Sequence, residues 1–184
     1  MYILKYIEYY REKAKASGTE KPDSAFQKAA GNLNRIYYKA EIETTLRTKQ
    51  SAGYGLLGMV DYPRQVEALM GWIDPFYKEK NFITSEQFIQ YGNHTVPLLR
   101  FTKFVWADGE IFHAPIEVAN YDSQSINKAI LHCQIKEEYN LPATDLAQGE
   151  LITIGSISQK LSSGINGKKL NISVNIAGTN YKNN

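Results

Sequence analysis

Apolar positions recur at helical spacing through the first third of the chain and change to alternation after Thr95, so the pattern predicts a helical N-terminal half followed by β structure. Over residues 2–17, Ile3, Tyr6, Ile7 and Tyr10 share one stripe, and Gly18 supplies a C-cap. The linker TEKPD stops this helix. Ser24 and Gln27 then form a capping box, and Phe26, Ala29, Ala30, Leu33, Ile36, Tyr37 and Ala40 line one face of a second helix. That helix is expected to end between Leu46 and Gln50, helped by Glu43 and Arg47 one turn apart. Residues 1–50 are thus a helical segment.

The glycine-rich stretch SAGYGLLG breaks the pattern, and residues 51–94 read as short helices and loops. Asp61, with Pro63 just inside, opens one short helix carrying Val66, Leu69, Met70 and Ile73, which Asp74-Pro75 ends. Thr84 and Gln87 form a capping box for another, through Phe88 and Ile89 to Gly92.

Residues 95–121 read as a β-hairpin around Asp108-Gly109, a type I′ signal. That turn sets Phe104 opposite His113, Thr102 opposite Pro115 and Arg100 opposite Glu117 as an ion pair. Leu99, Phe101, Val105, Phe112, Ala114, Ile116 and Val118 fall on the core face, and Pro115 argues for an edge strand over residues 110–118. Residues 122–140 are expected to form a helix, with Asp122 and Ser123 at its N-cap and Ile126, Ala129, Ile130 and Cys133 inward. Residues 150–177 read as a second type I′ hairpin at Asn166-Gly167, with Leu161 facing Ile172 and Ile157 facing Ile176. Residues 178–184 are a polar tail. The whole is expected to be a single α+β domain over 1–184, with an antiparallel or mixed sheet.

Composition narrows the chemistry only slightly. The formal charge is +2, far from a strongly basic balance, although residues 1–50 carry 10 basic and 6 acidic side chains. The single Cys133 excludes an intrachain disulfide and fits a reducing, cytoplasmic setting. No signal-peptide core or membrane span is evident, so no membrane partner is expected.

Three constellations carry candidate chemistry. On the outer hairpin face Phe104, Trp106 and His113 would form an aromatic platform edged by Arg100, suited to stacking unpaired bases. The competing reading buries those aromatics under helices. In the N-terminal helices, Lys5, Tyr9, Arg11, Lys13, Arg35, Tyr38 and Lys39 interleave aromatic and basic groups, a mixture suited to phosphates and bases or to a protein interface. The histidines at 94, 113 and 132 could approach carboxylates or Cys133, but their spacing matches no metal motif. The GxGxxG match over residues 53–58 lacks a preceding strand.

No cofactor or metal is expected, and no motif supports catalysis. The sequence therefore points to a small, non-catalytic intracellular binding protein, with single-stranded nucleic acid as the favoured ligand. A protein-interaction or assembly factor, including a homo-oligomer, is the alternative, and an enzyme with a His/carboxylate site the third.

Overall fold

The computed structural model describes residues 2–61, 71–134, 138–161 and 173–177. The body of the helix expected after Asp61, the Asn166-Gly167 turn and the 178–184 tail lie outside them, as do the side chains of Ile3, Tyr6, Ile7 and Ser24. The chain is α+β, with helices in its N-terminal part and antiparallel sheets after it. It divides into two compact units, residues 1–45 with 51–90, and 46–50 with 91–184.

The first unit contains α1 (Tyr2–Ala16), α3 (Ser85–Ile89) and all of α2 (Glu20–Arg47) except its last two residues, Leu46 and Arg47, which belong to the second. Helix α1 ends as its glycine dictates: Gly18 is left-handed at φ 69°, its N–H donates to Lys15 O, and Thr19 N–H donates to Ala14 O. Helix α2 begins at Glu20, four residues before Ser24, because Pro22 falls in the first turn, where an N–H has no helical acceptor to lose. Thr84 caps α3 through the expected reciprocal box with Gln87.

One face of α2 packs inside this unit. The Trp72 indole N–H donates to Asn34 Oδ1 at 3.1 Å, and its ring meets Tyr38 edge-on at 4.6 Å. Tyr38 in turn donates to Leu57 O at 2.7 Å, and Ile42 is buried. Gly31 is required beside the Phe82 ring, which a Cβ would overlap.

Among its described residues the second unit holds seven strands: β1 (Thr95–Leu99), β2 (Ile111–Asn120), β3 (Ile126–Gln134), β4 (Glu138–Asn140), β5 (Thr144–Leu146), β6 (Glu150–Lys160) and β7 (Ser173–Ala177). They form one sheet in the order β1-β2-β6 and a second in which β3 pairs with β4, β5 and β7, all antiparallel. Phe112, Ala114, Ile116 and Val118 from the first sheet join Ala129, Leu131, Cys133 and Leu146 from the second in one core.

The first hairpin departs from its expected register. Leu98, not Arg100, stands opposite Glu117, and Leu99 stands opposite Ile116. Beyond Leu99 the ladder yields one more bond, Arg100 N–H to Pro115 O, and the return bond cannot form because proline has no N–H. The strands part there, and residues 100–110 form a loop. Only Gly109 has positive φ in the Asp108-Gly109 turn, which matches type II and not type I′. Val105, expected in the core, is 83% exposed on this loop.

The expected edge strand is instead central. Because Pro115 aims its carbonyl, and its absent N–H, at β1, the β6 side loses no ladder bond. A bulge at Ile154 of β6, where Ile116 pairs with Gly155 and Glu117 with Thr153, accommodates the twist of this long pair.

The expected helix over 122–140 is β3. A bulge carrying Lys128 at φ 52°, its N–H bonded to Asp145 Oδ1, separates Ile126 from Ala129. Both side chains therefore point inward at a spacing of three, which imitates a helix, while Ala129, Leu131 and Cys133 alternate as a strand. The second expected hairpin is also replaced. Ile157 pairs with Ala114, and Ile176 with Leu131, so β6 and β7 join different sheets. Alternation fixes which face is buried, not which strand lies alongside.

Candidate functional site

The hairpin platform separates into groups with different surroundings. Trp106 packs edge-on against Phe112 at 5.2 Å, on the core side of the sheet, and Lys103 Nζ lies 4.7 Å from its ring centre. His113 follows Phe112 on β2 and therefore points to the opposite face, where it is exposed and its Nδ1 lies 2.7 Å from Ser158 Oγ. Phe104 is 88% exposed on the 100–110 loop and touches Phe101 at 5.7 Å. Arg100 directs its guanidinium to Glu117. The structure thus brings Arg100 to Glu117 and leaves Phe104, Trp106 and His113 on no common surface.

The 100–110 loop is tied by its own charges. Lys103 Nζ sits 2.6 Å from Glu110 Oε2, and the Ala107 N–H donates to the same oxygen at 2.7 Å. The Lys103 hydrogen bond, followed by that of Ala107, lowers the Glu110 carboxyl pKa below its ordinary value.

The N-terminal candidates divide similarly. Lys5, Arg11 and Lys13 are exposed on α1, with Tyr9 beside Tyr10 edge-on at 5.4 Å and Lys13 Nζ 5.5 Å from the Tyr9 ring centre. On α2, Tyr38 is packed on Trp72, Arg35 is half-buried, and Lys39 pairs with Glu43 at 2.6 Å. Arg47 donates to Leu99 O and lies beside Glu117.

His94, His113 and His132 fall before β1, on β2 and on β3, and among the described residues no three His, Cys, Asp or Glu side chains converge on one point. His132 and Cys133 are neighbours on a strand and face opposite ways. Cys133 is buried, and burial pushes its thiol pKa up, away from the reactive thiolate. The GxGxxG stretch comes shortly after helix α2, whereas a dinucleotide loop requires a strand before it. Among the described residues no helix is long and apolar enough to cross a membrane.

The most conspicuous surface lies on α2. The face read as the apolar stripe of α2 is exposed: Phe26 by 65%, Leu33 by 49%, Ile36 by 57% and Tyr37 by 59%. The residues α2 uses internally, among them Gly31, Asn34, Tyr38 and Ile42, lie roughly 130° around the helix at 100° per residue. Periodicity gives no signal for this, because the side of α2 that packs is the less apolar one and is held by a glycine contact, an Asn34 hydrogen bond and the Tyr38 ring.

Residues 110–184 match the model of a family described as a domain of unknown function, DUF8488, which takes in β2 through β7 and leaves out β1 and both long helices. No curated protein matches the chain.

Proposed function

We propose that this chain is a protein-interaction module whose docking surface is the outer face of α2. The observation that carries the reading is the exposure of Phe26, Leu33, Ile36 and Tyr37 along one side of a helix whose other side is already packed. Large aromatic and aliphatic groups aligned at helical spacing are the anchors by which helices seat in grooves or against other helices. Tyrosine adds a polar tip that tolerates both solvent and contact.

The test is a photo-reactive side chain in place of Leu33, compared with the same group in place of Lys28, which is exposed on another side of the helix. Protein adducts from position 33 alone support the reading. Equal labelling from both positions, or adducts with nucleic acid only, would overturn it.

A second reading, single-stranded nucleic acid on α1, is favoured by the exposed Tyr9, Tyr10, Arg11 and Lys13 and the Lys13–Tyr9 stack. Its signature is oligonucleotide binding that weakens steeply with salt and is lost in Tyr9→Ala. Binding unaffected by either change would exclude α1 as the site.

A further inference from the structure

We infer that the partner of the α2 outer face is a second copy of the same face, the two helices running antiparallel. This inference rests on the reading of that face as a docking surface. Phe26, Ala30, Leu33, Tyr37 and Ala40 follow one another at steps of four, three, four and three, the seam that lets two helices interdigitate. Large Phe26, Leu33 and Tyr37 supply knobs, while the exposed Ala30 and Ala40 leave holes.

The available area suits this occupant. At their exposures the four large side chains with Ala29, Ala30 and Ala40 present roughly 600 Å² per copy, so complete pairing would bury at most about 1,200 Å² in total, the lower end of a specific interface. A self-complementary face also needs no second kind of surface, as two-fold dimers generally use one patch twice.

Charge sets the direction. The seam holds no ionised side chain; of the two glutamates flanking its C-terminal end, Glu43 is paired with Lys39 on its own helix, which leaves Glu41. A parallel pair would set Glu41 at the same level as its copy across the seam. An antiparallel pair centred near Leu33 puts Glu41 and its copy roughly 24 Å apart along the axis, beyond the Debye length of about 8 Å at physiological salt.

The test is sedimentation equilibrium on the full chain. A concentration-dependent dimer is expected, with Leu33→Lys and Tyr37→Lys each raising its dissociation constant at least about tenfold. Far-UV dichroism and Trp72 fluorescence should stay unchanged, and Leu33→Gln serves if a lysine variant fails to fold. Mild oxidation of a mixture of Phe26→Cys and Ala40→Cys chains should give the mixed disulfide and neither self-disulfide, with buried Cys133 silent. A dimer indifferent to position 33, or self-disulfides of Ala40→Cys, overturns the antiparallel seam. A monomer whose stripe is open to hydroxyl-radical labelling overturns self-pairing and leaves the face for a different protein. A monomer whose stripe is protected overturns the docking reading as well.

Discussion

Arg100 and Glu117 form a two-point ion pair on a diagonal of the β1–β2 ladder, with Nε 3.0 Å from Oε2 and Nη2 3.3 Å from Oε1. Leu98 holds the position directly opposite Glu117, and Arg47 Nε stands 3.9 Å from the same Oε2. The partners are unequally buried: the Glu117 side chain is 11% exposed and that of Arg100 53%. Glu117→Gln removes the charge facing both arginines, and with Arg47 largely buried the expected cost is roughly 1–3 kcal/mol, below the figure for fully buried pairs. Arg100→Ala, which removes the exposed partner, should cost at most about 1 kcal/mol. Urea unfolding of the two variants checks the order, and equal losses would mean that Arg47 contributes nothing to holding Glu117.

Gly31→Ala should destabilise the helical unit even though alanine is the better helix former. In an open helix interior the change would stabilise by up to about 1 kcal/mol. Here the new methyl group would overlap the Phe82 ring, and overpacking of this kind costs roughly 1–3 kcal/mol. A net loss in thermal or urea stability, partly recovered in Gly31→Ala with Phe82→Leu, is the expected result. A stabilised single variant would show that the ring moves aside freely.

The helices were legible because their signals are local. The Gly18 cap and the Thr84–Gln87 box each depend on a few consecutive residues, and each formed as expected. Strand pairing is not local, and there the alternating pattern left the partner open: Ile157 of β6 and Ile176 of β7 both lie at the core, but their strands belong to different sheets. The bulge at Lys128 disguised β3 by spacing Ile126 and Ala129 as a helix would. The candidate surface was visible as an apolar stripe from Phe26 to Ala40. What periodicity could not show is that Gly31, Asn34 and Tyr38 had already given α2 its inner face, leaving the more apolar side outward.

The 100–110 loop should loosen on acidification. The Glu110 carboxyl has a folded pKa below its ordinary value of 4.5, through Lys103 first and the Ala107 N–H second. A group depressed in the folded state contributes stability above its unfolded pKa and loses it as pH falls through the folded one. The change therefore belongs below pH 4.5. Because Lys103 also lies over Trp106, the Trp106 indole resonance should follow the same titration. Lys103→Met should move the midpoint upward, and an indole signal indifferent to pH and to Lys103 would separate the ring from the ion pair.

Asn120 should prove the least replaceable polar side chain of the β unit. It is fully buried at the end of β2. Its Oδ1 accepts from Thr95 Oγ1 at 2.9 Å, and its Nδ2 donates to Leu146 O at 3.0 Å and Gln124 O at 3.1 Å. One amide thereby joins β1 to β5 and to the turn before β3, a role that requires a donor and an acceptor on the same short side chain. Asn120→Asp keeps the shape and the acceptor but turns the donor into an oxygen facing three carbonyl oxygens, those of Gln124, Leu146 and Ala147. The ionised form would be buried without a counter-charge, so the acid must either protonate or open the site. The expected loss is about 3 kcal/mol or more near neutral pH, shrinking as pH falls because protonation restores one donor. Asn120→Ala, which leaves the same partners unsatisfied without adding charge, should lose roughly 2–3 kcal/mol with little pH dependence. Urea unfolding of both variants across the acid range separates the two effects. Parallel pH profiles would show that the cost lies in the missing hydrogen bonds alone, and a loss below about 1 kcal/mol in both would show that water replaces the amide.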